Sequence, residues 1–144
     1  MKGDPLPAEH CVARHCRNND LILTNGEPTG VSESAFEPKP DESDGLSANW
    51  VEFFGGDRHH NVAGVRSVTK LTVKRSHRIA ILNVGVTTAA VGAANLRVVE
   101  DPIDDLAPDT NAAHVLIKEP AALKDQAVRD ALAFLVRQSD IERY

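Results

Sequence analysis

The chain has 144 residues, 42% of them hydrophobic and 26% charged, with a net charge of −5. That is the size and make-up of one soluble domain that folds without disulfide or metal staples. No run reaches the ~20 apolar residues that span a bilayer, which argues against a membrane helix.

The opening residues, MKGDPLPAEH, carry no apolar stretch of the export-signal kind, so a cytoplasmic protein with two reduced thiols is expected. Charge is uneven along the chain. Residues 1–57 hold 4 Lys and Arg against 11 Asp and Glu, residues 58–100 hold 7 against 1, and residues 101–144 hold 5 against 9. The basic middle either packs against the acidic ends or a second subunit, or forms an anion site. Overall acidity opposes general nucleic-acid binding.

In chain order, residues 1–9 read as a loosely held tail before a domain over 10–144. Residues 10–16 suit a short strand with Cys11, Ala13 and His15 on one face and His10, Val12, Arg14 and Cys16 on the other. Residues 21–24 are a brief apolar run ended by Asn25-Gly26, a turn signal. Residues 26–45 read as a long surface loop pinned at Phe36. Ser47 is a plausible N-cap for a helix carrying Trp50, Val51, Phe53 and Phe54, closed by Gly55-Gly56. Asp57 caps a second helix to about Val68, with Val62, Val65 and Val68 inward.

Residues 69–75 alternate like a strand, with Leu71 and Val73 inward. The run at 79–86, IAILNVGV, reads as a central strand buried on both faces. Residues 87–95 fit a short helix or tight crossover, and 96–100 and 112–118 fit two more strands. Pro120 opens the clearest helix, with Leu123, Ala127, Val128, Ala131, Leu132 and Leu135 in one stripe. The result is a single α+β domain of four or five strands and three helices, its C-terminal amphipathic helix packed on the sheet.

Three groups of residues carry candidate chemistry. Cys11, His15 and Cys16 are candidate metal ligands, zinc being the natural ion, with His59-His60 the nearest second pair. The C-x2-C spacing of zinc sites is absent, and buried thiols with exposed histidines are the simpler account. His15 and His114 are acid–base candidates, able to activate a thiol if the fold gathers them. Lys70, Lys74, Arg75 and Arg78, with Arg66, would supply charge to an anion site near Thr87-Thr88, where a strand feeds a helix.

The order Arg14-His15, Ala35-Phe36-x-Pro38 and Gly45-Leu46-Ser47 is similar to the opening of RES-type and other ADP-ribosyltransferase-like toxin domains. The similarity covers residues 13–54. It implies an NAD pocket lined by Arg14 or His15, Ser47 and Glu52, with Ser47 on a strand, against the helix read there. The later part of the chain has no clear counterpart of that family's closing residues.

Two functions follow as expectations. One is a small binding or accessory protein acting through a partner surface or self-association. The other is an enzyme on a nucleotide or NAD-like anionic substrate, using His15 and His114.

Overall fold

The computed structural model describes residues 1–69, 72–104 and 110–144. It is one α+β domain, with three α-helices and eight strands among the described residues, more strands than the sequence suggested. Six strands form an antiparallel sheet in the order β6-β7-β4-β1-β5-β8, and β2-β3 form a separate hairpin. No helix among the described residues is long and apolar enough to cross a membrane.

Strand β1 (Cys11–Cys16) is the hub. It pairs with β4 (Leu46–Trp50) only through Val12↔Trp50 and Ala13↔Asn49, but with β5 (Arg78–Asn83) along its whole length. β1 and β4 therefore part after Ala13, and the gap between them becomes the site described below.

The segment expected as a helix from Ser47 is strand β4. Leu46 and Ala48 are buried while Ser47 is exposed; this alternation fits a pleat, and pairing with β7 (His114–Lys118) through Leu46↔Ile117 to Asn49↔His114 fixes it. Only Glu52–Phe54 turn helically, as one 3-10 turn. Gly45 precedes β4 with φ +151°, and a Cβ there would stand 2.7 Å from the Ile117 carbonyl oxygen. Glycine is what lets the two strands close.

The long loop predicted over 26–45 contains β3 (Glu27–Val31), which folds back on β2 (Leu21–Thr24). The turn is at Asn25 and Gly26, both at positive φ, as expected. Phe36 is fully buried and pins the remainder. The opening residues run beside the sheet. Gly3 and Leu6 donate to the carbonyls of Glu100 and Val98 on β6 (Arg97–Glu100), and Leu6 is buried.

Helix α1 (Arg58–Val68) begins at Asp57, whose carboxylate accepts from the His60 amide, and buries Val62 and Val65. Of the strand expected over 69–75, Lys70 and Leu71 lie outside the described residues, Thr69 caps α1, and 72–76 carry no ladder. In β5, Ile79, Ala80, Ile81 and Leu82 are all buried, so both faces are covered. The strand stops early because the Asn83 side chain caps α2 (Val84–Ala90) by accepting from the Val86 amide.

Helix α3 (Gln126–Leu135) starts later than Pro120 signalled, because Asp125 caps it at the Ala127 amide. Val128 and Leu132 join the larger core with Val12, Leu46, Ala80 and Val115. The last strand, β8 (Ile141–Arg143), pairs with β5 and was not anticipated. A smaller core on the opposite sheet face joins Ala13, Ile79 and Ile81 to Val51, Val62 and Val65.

Candidate functional site

A cavity of about 420 Å³ opens on the α1 side of the sheet, where β1 and β4 part. Ala13, Ser47 and Asn49 form its floor. Val65, Val68, Thr69 and Tyr144 stand on one side, and Ile103, Asn111 and His114 on the other. Arg14, Arg17, Asp20 and residues 39–42 close one end. An apolar cleft with a few converging polar groups is the usual form of a small-molecule site.

Arg14 braces that end. Its Nη1 donates to Glu42 Oε2 at 2.5 Å and to the Ser47 carbonyl at 2.8 Å. Its Nη2 donates to Glu42 Oε1 at 3.1 Å, and its Nε donates to the Ala35 carbonyl at 2.9 Å. Glu42 also accepts from the Lys39 and Ser47 amides. Burial opposes its ionisation, but the Arg14 guanidinium and these amides hold its carboxyl below the ordinary range. The pair thus fixes the start of β4 and the Ser47 backbone.

His15 is half-buried on β1 and shares a hydrogen bond of 2.5 Å through Nδ1 with the Tyr144 hydroxyl. Its ring also stacks edge-on with His77, centroids 4.9 Å apart. Burial first, then the nearby His77, Arg14 and Arg17, push its pKa down to about 4, so the ring is neutral at pH 7. Tyr144 is pushed up to about 12, mainly by burial, and keeps its proton.

His114, at the start of β7, is fixed differently. Its Nδ1 lies 2.9 Å from the Asp101 carbonyl oxygen and 3.1 Å from Asp101 Oδ2. Both are acceptors when Asp101 is ionised, so Nδ1 carries the hydrogen and Nε2 is left as the basic nitrogen of the neutral ring. The main chain locks the pair from the other side, the Asp101 amide donating to the His114 carbonyl.

The four acid–base and positioning candidates, Arg14, His15, Ser47 and His114, therefore all line one cavity, from three strands. The other groups separate. Lys74, Arg75 and Arg78 do not line it; Arg78 folds back on the Arg75 and His77 carbonyls. Lys70 lies outside the described residues. Glu52 is occupied at the start of β1, accepting from the Cys11 amide at 2.7 Å.

The metal set fails on strand geometry. Cys16 packs in the larger core, while Cys11 lies against the smaller one on the opposite face with His15. Five residues is an odd spacing, so a strand cannot aim both thiols at one ion. Among the described residues no cluster of three His, Cys, Asp or Glu is placed to hold a metal. Neither thiol is activated. Burial and then Asp20 push Cys16 up to about 12, and burial and then Glu52 raise Cys11. His59 and His60 are exposed on α1.

Glu42, Asp101, Asn49, Asn111, Lys39 and Tyr144 were not singled out from sequence. Glu42 sits in an acidic loop that looks solvated throughout, and Tyr144 reaches the site only through the unanticipated β8. Asn111 is buried, its amide donating to Asn49 Oδ1 at 2.8 Å. No protein-family model, curated protein or solved structure matches the chain.

Proposed function

We propose that the protein is an enzyme acting on a nucleotide or NAD-like substrate held in this cavity. The observation that carries the reading is the convergence of Arg14, His15, Ser47 and His114 on one cleft. Of the positions that the similarity to ADP-ribosyltransferase-like domains singles out, Arg14 or His15 and Ser47 line the cleft, and Glu52 does not. Following that similarity, the reaction would break the bond between nicotinamide and the ribose C1′. A water or acceptor hydroxyl attacks C1′, the bonding pair leaves with nicotinamide, and His114 Nε2 takes the proton of the attacking oxygen. His15, neutral at pH 7, serves as a hydrogen-bonding group rather than a proton donor.

The test is nicotinamide release from NAD. Wild-type protein should release it, and H114Q should slow release by about 10²-fold or more with its melting temperature kept. Wild-type protein that neither binds nor turns over NAD overturns the reading.

A second reading, a partner-binding accessory protein, draws on Phe134. This ring is 90% exposed on α3, turned away from the core that Val128 and Leu132 join. If it anchors a partner or a second copy, F134S should abolish that association in sedimentation without lowering stability.

A further inference from the structure

Resting on the reading of the cavity as a nucleotide site, we infer that its phosphate-binding end is formed by Arg17 and Lys39. Arg14, the cation that the similarity implies for an NAD pocket, is committed elsewhere. All three of its guanidinium nitrogens donate within the protein, and its charge is met by the buried Glu42 carboxylate. A phosphate at Arg14 would have to displace Glu42, which the Lys39 and Ser47 amides also hold. The basic segment after α1 sends none of its described cations Lys74, Arg75 and Arg78 into the cavity.

Arg17 and Lys39 do line it. Neither lies within ion-pair distance of a carboxylate among the described residues. Their main chains are fixed, Arg17 N donating to Asp20 Oδ2 at 2.9 Å and Lys39 N to Glu42 Oε1 at 3.0 Å. Asp20 and Asp41 line the same end. The Asp20 carboxylate, however, is engaged by the Arg17 amide and the Ser34 hydroxyl. Two long cationic side chains are thus each held at the main-chain amide, with no ion pair among the described residues to keep them from an anion.

Strand register sets the polarity. Ala13 pairs with Asn49 and Asn49 with His114, so these three share one rung. Arg17 lies four residues beyond Ala13, just past the end of β1 at Cys16, roughly 13 Å away at ~3.3 Å per residue. Because β4 runs antiparallel to β1, the residues leading into β4, Lys39 among them, fall at the same end. A nucleotide laid along the floor with its phosphates on Arg17 and Lys39 places its other end at His114.

The test uses three probes on the whole protein: inorganic pyrophosphate, nicotinamide mononucleotide and nicotinamide riboside. Binding is read by calorimetry and by amide shifts at Arg17, Lys39 and Ser47. Pyrophosphate should bind the wild type and perturb those amides. R17Q/K39Q should weaken it by roughly tenfold or more, the loss expected from charge-assisted hydrogen bonds, while the melting temperature holds. The mononucleotide should bind more tightly than the riboside, and the double variant should erase that advantage while leaving riboside affinity within twofold.

Pyrophosphate that fails to bind, or binds the double variant equally well, overturns the assignment. If pyrophosphate behaves as expected but neither nicotinamide compound binds, the anion site stands and the nucleotide reading falls.

Discussion

Arg14 and Glu42, 28 residues apart, form a two-pronged ion pair in which each side chain is only 6% exposed. The pair ties β1 to the chain entering β4 at the point where the two strands separate. A buried pair need not be stabilising against an apolar replacement, but breaking it strands a charge. R14A or E42A should therefore cost about 3–5 kcal/mol in urea unfolding at pH 7. The pair also predicts a pH dependence. Glu42 titrates below its ordinary 4.5 in the fold, so its contribution is complete above that value and drains away as pH falls through the lower folded pKa. Unfolding free energy measured between pH 5 and 3 should fall more steeply for wild type than for E42Q. Parallel curves would mean that Glu42 is not held ionised.

His15 acts in the same direction, from a window that opens at higher pH. Its folded pKa of about 4 lies below the ordinary 6.5, so between these values the unfolded chain binds a proton that the folded chain refuses. Stability should fall as pH drops from about 6.5 to 4 and then cease to depend on this residue. H15F should flatten that slope, and ring NMR shifts should show a midpoint near 4. A midpoint near 6.5 would place the ring in a wetter setting than beside Tyr144 and His77.

The legible parts of the fold were those where local pattern and tertiary role agree. Asp57 capping α1, the apolar run of β5 and the Asn25-Gly26 turn are each specified by residues within a few positions. After Ser47, the crowding of Trp50, Val51, Phe53 and Phe54 in one segment mimics an amphipathic helix. The alternation of Leu46, Ser47 and Ala48 is only three residues long and gains meaning from pairing with Ile117 and Val115. The site divided in the same way. His15 and His114 stand out by residue type and neighbourhood, and Arg14 and Ser47 only through the similarity to ADP-ribosyltransferase-like domains. Glu42 and Tyr144 depend on contacts 28 and 129 residues away in the chain, which no local signal records. The basic 66–78 run misled because density of charge along a chain says nothing about which way the side chains face.

Gly45 is a third point of test. Its φ of +151° disfavours any side chain, and an added Cβ would sit 2.7 Å from the Ile117 carbonyl oxygen, a backbone atom that cannot swing aside. G45A should cost about 1–3 kcal/mol from backbone strain. Because Gly45 N also reaches back to the Glu42 carbonyl, the loss should appear in ligand affinity as well as in thermal melting. A G45A protein with unchanged melting would show that β4 and β7 part without cost.

Asp101 and His114 make the last case. Both Asp101 oxygens near His114 Nδ1 are acceptors, so the neutral ring must carry its hydrogen on Nδ1. Ring 15N spectra should show that tautomer, with Nε2 bare. The carboxylate and the main-chain carbonyl share this task, so D101A removes one acceptor and leaves the other. The tautomer should survive in D101A, and nicotinamide release should fall by roughly tenfold, the worth of one charge-assisted hydrogen bond. That is a smaller loss than the H114Q change should bring. An Nε2-protonated ring in wild-type protein would remove the base from the proposed reaction, since the nitrogen needed to take the proton would already hold one.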